Sequence, residues 1–384
     1  MILFGADRIE EFRDCFTGRV ALLTTPSGRT SSNRSTIEVL KEYCNLALLL
    51  APEHGVRGDK PAGALFSDER DEDTGLPVLS LYTKASKRLS PQALEAFDTL
   101  VYDIADVGCR YYTFISSLFG CIQDCAAAGK RLVVLDRPNP LGDRVEGGIL
   151  QPETRSFVGC WEIPVCYGLT CGELAQMMNA ELDLHCDLVV VPCKGLTSTM
   201  TFRDWRKPWV MPSLGIPRFE TALLYPGTCL IEGTNCSEGR GTADPFGIIG
   251  ASFIHAEHFC QAFNDMSIPG VIATPVYFTP TASKHQGQLC GGIQLHVMDE
   301  KALRPVAMGV RLLDLLRTMY PVGFRFLDPV REDGKPFISL LAGHREFESP
   351  AWDADEILRR YEEESAQFRE RKAPYEIYPK ENAP

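Results

Sequence analysis

The sequence predicts a doubly wound α/β sheet followed by a second, smaller domain, and three observations lead there. Over roughly the first 200 residues, short β-branched or leucine-rich runs alternate with amphipathic stretches, the pattern of parallel strands joined by helices. The runs are apolar at consecutive positions, which suits strands covered by helices on both faces. With 384 residues the chain is about twice the size of a typical domain, so two domains flanking a cleft are expected.

The strands of the first part are expected at Val20 to Thr25, Leu46 to Ala51, Val78 to Leu81, Thr99 to Ile104, Leu132 to Leu135 and Leu188 to Val191. Between them, helices are expected at Ser35 to Tyr43, Pro91 to Phe97, Thr113 to Ala128 and Cys171 to Leu182. The last carries a start signal, because Thr170 is followed three residues later by Glu173, a capping box. After Thr242 the texture changes. Two strand-like runs, Val271 to Phe278 and Gly292 to Val297, precede a helix from Lys301 to Met319, and the Glu- and Arg-dense stretch Trp352 to Lys372 reads as an exposed helix with a solvated face. Residues 1–242 are therefore assigned to the first domain and 243–384 to the second.

Composition narrows the function. There are 39 Lys plus Arg against 51 Asp plus Glu, a formal net charge of -12, and such a field repels a phosphate backbone, which argues against nucleic acid as a partner. No run approaches the roughly 20 apolar residues that span a bilayer. The opening MILFGADRIEEFRD lacks the basic start, apolar run and cleavage site of a secretory signal, so a cytoplasmic protein with no membrane partner is expected. The 14 cysteines fall largely in apolar segments (Cys44, Cys121, Cys125, Cys186, Cys229, Cys290) without CxxC pairs, as buried thiols in a reducing compartment do. Cys160, Cys166 and Cys171 lie closer together, and a loop plus a helix start accounts for them without a metal. Oligomeric state leaves no signature.

In open parallel sheets the ligand lies beyond the carboxyl ends of the strands, and those ends are unusually polar here. The second strand delivers Pro52-Glu53-His54-Gly55-Val56-Arg57-Gly58-Asp59. The fourth delivers Asp103-Ile104-Ala105-Asp106, then Arg110, Tyr111 and Tyr112, and the fifth ends in Asp136-Arg137-Pro138-Asn139-Pro140. Later comes the run from Glu232 through Asn235, Glu238 and Arg240 to Thr242. Four segments bringing charge to one rim are hard to explain by folding alone, because buried charge costs several kcal/mol unless paired. A nucleotide cofactor is disfavoured: Thr24-Thr25-Pro26-Ser27-Gly28-Arg29 has one glycine where a dinucleotide fingerprint needs three, and no GxxxxGK[ST] occurs. What remains is acid and base chemistry by carboxylates around a polar, sugar-like ligand, with no cofactor and no metal.

The motifs PEHGVRGDKPAG, DTGLPVLSLY, YDIADVGCRYYTF, VLDRPNPLG, SFVG, EGTNCSEGRGT and SKHQGQLCGG resemble, in order and spacing, the exo-β-N-acetylmuramidase family, over nearly the whole chain. The resemblance implies a Rossmann-like doubly wound, mostly parallel sheet with a smaller α+β auxiliary domain closing a cleft. It also implies release of N-acetylmuramic acid from the non-reducing end of peptidoglycan fragments, with the glutamate of the EHG motif, Glu53, as the candidate acid. The chain departs from the family pattern at Thr25 (usually Asn), Ala105 (usually Gln), Tyr167 (usually His) and the run Ser213-Leu214-Gly215-Ile216-Pro217 (usually Ser-Pro-Asn-Met-Pro), and near Leu196 and Ser198. Most members are exported, whereas this chain is expected in the cytoplasm. Because of the departures two alternatives stay open: a hydrolase of a different amino sugar, and a catalytically silent sugar-binding or sensor protein.

Roles follow from residue type. Glu53 leaves an apolar strand, so partial burial is expected to keep a proton on it for the leaving oxygen; the alternative is a structural pairing with Arg57 or Arg110. Glycosidases usually need a second carboxylate, and Glu232, Glu238, Asp103, Asp106 and Asp136 qualify by type. Glu238 is favoured for its glycine-rich loop, with pairing to Arg240 as the alternative. Retaining and inverting mechanisms both remain open. Arg57, Arg110, Arg137 and Arg240 are candidates for the lactyl carboxylate of a muramic acid, with Lys284 and His285 closing from the second domain. His54, Asp103, Tyr112, Asp136, Asn139, Glu232 and Asn235 complete the candidate sugar-contacting set. His255, Glu257 and His258 read as a surface helix rather than a metal site.

Overall fold

The computed structural model describes residues 1–59, 68–81, 87–330 and 334–381; positions 60–63 of the first long motif and position 82 of the second lie outside them. The strands up to residue 191 are β1 (Val20–Thr24), β2 (Leu46–Ala51), β3 (Glu69–Arg70), β4 (Pro77–Ser80), β5 (Thr99–Asp103), β6 (Arg131–Leu135), β7 (Val145–Glu146), β8 (Cys166–Tyr167) and β9 (Asp187–Val191). Seven of them form one sheet in the order β3-β4-β2-β1-β5-β6-β9, parallel throughout except for the antiparallel edge strand β3. The remaining pair, β7 and β8, is a short antiparallel ribbon.

Alternate residues of β1 point into two different cores. Ala21 and Leu23 pack with Leu48, Leu50, Leu100, Tyr102, Leu132 and Val134, while Val20 and Leu22 pack with Leu49, Ala51, Val101, Val133 and Leu135 on the opposite face. Each such side chain removed from water contributes about 1.5–3 kcal/mol, which is why uninterrupted apolar runs mark these strands. Helix α1 (Thr36–Tyr43) covers the second face through Ile37, Val39 and Leu40. Helices α2 (Pro91–Ala96), α3 (Phe114–Ala128) and α4 (Cys171–Glu181) cover the first. The capping box of α4 is present: the Thr170 hydroxyl accepts from Glu173 N at 3.2 Å and the Glu173 carboxylate accepts from Thr170 N at 2.8 Å.

Two short helices follow, α5 (Phe202–Trp205) and α6 (Phe219–Thr228). Strands β10 (Ile248–Ala251), β11 (Val271–Phe278) and β12 (Cys290–Val297) then form an antiparallel sheet ordered β10-β12-β11. With them run α7 (Ala256–Asp265), α8 (Pro305–Met319), α9 (Phe337–Ala342) and α10 (Ala354–Lys372). The expected helix start at Lys301 is corrected to Pro305. The Asp299 carboxylate accepts from Lys301 N and Ala302 N, holding them in a turn, and Pro305 takes the first helical position, where its missing N–H costs nothing. Helices α6 and α8 meet backbone to backbone, since a Cβ on Gly227 would lie 1.9 Å from Pro305 O. Among the described residues no helix is long and apolar enough to cross a membrane.

Candidate active site

The chain runs from β1 outward to β4 and then returns to β5 on the other side of β1, so the sheet reverses direction between β1 and β5. At such a point the loops leaving adjacent strands diverge and open a crevice. Here the two loops are stitched at their base. Thr24 Oγ1 donates to Asp103 O at 2.9 Å, and Ala105 N donates to Ser27 Oγ at 3.1 Å. Gly28 lets the β1 loop pass this closely, because a Cβ there would sit 2.0 Å from Thr24 Oγ1.

Glu53 stands in the loop after β2, half-buried, with its Oε2 accepting the hydroxyl of Thr113 at 2.7 Å. Thr113 is the N-cap residue of α3, so the carboxyl lies at a helix N-terminus. The loop holds His54 at φ 74, a left-handed conformation that is costly for a residue with a Cβ and persists where surrounding structure imposes it. Neither arginine considered as a structural partner for Glu53 takes that place. Arg57 is bidentate to Asp71 at 2.8 Å through each nitrogen and also reaches Asp73 at 3.0 Å.

The other carboxylates fare differently. Asp103 is fully buried and bidentate to Arg137, with Nη2 to Oδ2 at 2.9 Å. Asp136 accepts from Tyr378 OH, Thr170 Oγ1, Gly172 N and Arg137 N, all within 2.9 Å. Glu232 takes Arg240 Nε at 2.7 Å. Glu238 has a side chain only 2% exposed, with Lys284 Nζ at 2.9 Å and Arg240 Nε at 3.5 Å. Neither Asp136 nor Asp106 makes an ion pair among the described residues, but Asp136 has both oxygens occupied; in Asp106, Oδ1 accepts from Tyr167 OH and, at 2.7 Å, from Gly108 N, while the buried Oδ2 has no partner among the described residues. Burial pushes its carboxyl up to about 7, against the pull of those donors.

Five residues of the candidate set are taken up by contacts within the fold. Arg110 does not stand on the rim as the sequence suggested; it is fully buried, and its guanidinium donates to the carbonyls of Gly148, Ile163, Leu341 and Ala342, tying the first sheet to α9. Asn139 is used by Leu169 O and Leu141 N, and Asn235 by Gly323 O and Arg325 N. Lys284 and His285 brace the 232–242 loop, Lys284 through Ile231 O and Thr234 O and His285 through Asn235 O at 2.8 Å. His255 stacks on His258 on α7, and no metal-holding group of three occurs among the described residues.

Tyr112 links what remains. Its hydroxyl is buried without a hydrogen-bond partner among the described residues, which pushes the phenol up, and it feels the charges of Asp106, Glu53 and Arg240. Arg240 reaches this point with spare donors: both its ion pairs run through Nε, and its terminal nitrogens carry no hydrogen bond among the described residues. Beside this cluster a cavity of about 70 Å³ is lined by the polar Asp106, Ser27, Arg29 and Arg137 together with the aromatic Phe4, Phe202, Trp205 and Trp209. Trp205 and Trp209 went unnoticed in the sequence, and Ser213 was noted only as a departure from the family pattern. The signal available was two tryptophans four residues apart in a stretch with no sustained strand or helix period.

Two family models, described as exo-beta-N-acetylmuramidase NamZ, N-terminal and C-terminal, match residues 20–220 and 223–378. The peptidoglycan beta-N-acetylmuramidase NamZ of Bacillus subtilis (strain 168) is 41% identical over 366 residues, covering 94% of this chain and 87% of that protein. The chain belongs to the exo-β-N-acetylmuramidase NamZ family. Two solved structures of DUF1343 family proteins from Bacteroides fragilis NCTC 9343 share the fold from end to end. One is 33% identical with a TM-score of 0.88 and covers 98% of this chain and 99% of its own. The other is 29% identical with a TM-score of 0.78 and covers 99% and 100%. Within this NamZ family chain the departures from the expected pattern cluster around the site. Thr25 Oγ1 lies 2.7 Å from Ser27 Oγ, which accepts from Ala105 N; Tyr167 donates to Asp106; and a Cβ on Gly215 would lie 3.3 Å from Arg240 Nη1.

Proposed function

We propose that the protein is an exo-acting β-N-acetylmuramidase that removes N-acetylmuramic acid from the non-reducing end of peptidoglycan fragments, with Glu53 as the acid. The observation that carries this is the 41% identity to the Bacillus subtilis enzyme over 94% of the chain. In the proposed step Glu53 gives its proton to the glycosidic oxygen as the bond from that oxygen to the anomeric carbon breaks. Water supplies the new oxygen at that carbon, and its proton restores the carboxyl. Arg240 is assigned to the lactyl carboxylate, because Arg57 and Arg137 are bidentate to aspartates and Arg110 is enclosed by carbonyls. Glu238 is not carried forward as the second carboxylate, since an enclosed carboxylate facing Lys284 has no room for a sugar.

A cytoplasmic setting, with small muropeptides as substrates, is favoured by the 14 free thiols, most of them buried, as in proteins of a reducing compartment. The test is incubation with a chromogenic β-glycoside of N-acetylmuramic acid, alongside the corresponding N-acetylglucosaminide. Release from the first and not the second supports the assignment; no release from either overturns it.

A further inference from the structure

We propose that the cavity between the β1 and β5 exit loops and the 202–212 segment receives the 2-acetamido group of the sugar, with Asp106 accepting its N–H and Trp205 donating to its carbonyl. This inference rests on the amino-sugar chemistry proposed above and says which residues read the amino substituent.

Two residues that line the cavity, Asp106 and Trp205, each hold a buried polar atom with no partner among the described residues, Oδ2 and Nε1. One is an acceptor and the other is a donor only. Buried groups left so are costly, and a ligand that matches both recovers that cost on binding. A secondary amide presents one donor and one acceptor on opposite edges of a plane, and an acetamido group adds a methyl. Part of the wall suits that methyl: Phe4, Phe202, Trp209 and Pro138 are apolar.

Both atoms are also held in place before any ligand arrives. Tyr167 OH and Gly108 N fix Oδ1 of Asp106 and thereby aim Oδ2. The Trp205 ring sits edge-on to Phe202 at 5.3 Å and to Phe4 at 6.4 Å. A site fixed in advance loses little freedom when it binds. Asp106 and Thr113, the donor to Glu53, both lie on the segment between β5 and α3, so the amino substituent and the scissile oxygen fall along one exit edge of the sheet.

The test compares two chromogenic β-glycosides that differ only at carbon 2: one of N-acetylmuramic acid and one of 3-O-lactylglucose, which has a hydroxyl there. With the wild-type protein, kcat/KM is expected to fall at least about tenfold for the hydroxyl analogue, as when a site built to hydrogen-bond a group meets a ligand without it. Trp205→Phe keeps an aromatic ring and removes the N–H, so it is expected to cut that ratio toward unity by lowering activity on the acetamido substrate. Asp106→Asn is expected to act in the same direction. A purely structural role would lower both substrates together and leave the ratio intact, which overturns the proposal. Equal turnover of both glycosides by wild type likewise overturns it while leaving the glycosidase assignment standing. If neither glycoside is cleaved, the activity fails, and calorimetry with N-acetylmuramic acid and 3-O-lactylglucose decides the inference separately: tighter binding of the acetamido sugar supports it, and equal or absent binding overturns it.

Discussion

The hydroxyl of Thr113 donates to Glu53 Oε2 at 2.7 Å, joining the loop after β2 to the first turn of α3. The same contact positions the proposed acid and links its charge to the positive end of a 15-residue helix. Glu53→Gln is expected to lower kcat by about 10²–10⁴ with an unchanged thermal midpoint. Thr113→Val is expected to lower kcat while leaving KM near its wild-type value. An unchanged kcat in the valine variant, or full activity in the glutamine variant, removes Glu53 from this role.

Arg240 supplies a second test, because its terminal nitrogens are the donors available to a carboxylate. Arg240→Lys keeps the positive charge and loses the fork, so KM for a muramic-acid glycoside is expected to rise about tenfold, with a smaller change in kcat. Steady-state kinetics measures both. If kcat falls while KM stays put, the guanidinium serves the reaction in some other way.

The titration of Asp106 has a sign that can be checked in stability. Its folded value of about 7 stands above its ordinary 3.8, so the folded chain keeps a proton that the unfolded chain gives up. The resulting stabilisation is complete below the ordinary value and is lost as pH climbs through the folded one. Asp106→Asn cannot ionise, so its thermal midpoint relative to wild type is expected to improve between about pH 5 and pH 8. A constant difference across that range contradicts the assignment of a buried, cation-free carboxyl.

Arg110 offers a contrast. With four carbonyls around its guanidinium and no carboxylate, it serves the fold. Arg110→Met strands those acceptors and is expected to destabilise by several kcal/mol, at roughly 1–3 kcal/mol for each buried group left unsatisfied. Denaturant unfolding reads this. The folded fraction is expected to retain wild-type kcat/KM; a stable variant with lost activity assigns the residue to the substrate instead.

How much of this was legible in the sequence varies by element. Six strands of the first sheet were readable from their apolar runs, and α4 because Thr170 and Glu173 announce its start, whereas the two-residue edge strand β3 is exposed and charged and was not. Helix α6 was not. Its residues are buried nearly all round and it contains Pro226 and Gly227, so no polar face gives it a period. At the site, the Glu53 loop was found from its charge after an apolar strand. Which carboxylates would be paired was beyond reach. Asp103 ends β5 and Asp106 follows three residues later, yet the first meets Arg137 from the end of β6 and the second meets Tyr167 from β8. That difference is created by tertiary contact and leaves no trace in spacing.

Tyr378 donates to Asp136 Oδ2 at 2.6 Å and accepts from Cys193 N, across 242 residues of chain in the first case. The carboxyl end of β6, from which Arg137 reaches the cavity, is thus completed by a side chain drawn from far along the sequence. Proteolytic nicking ahead of that residue would leave the Asp136 carboxylate buried one donor short, so damage remote in sequence would be felt at the rim of the site.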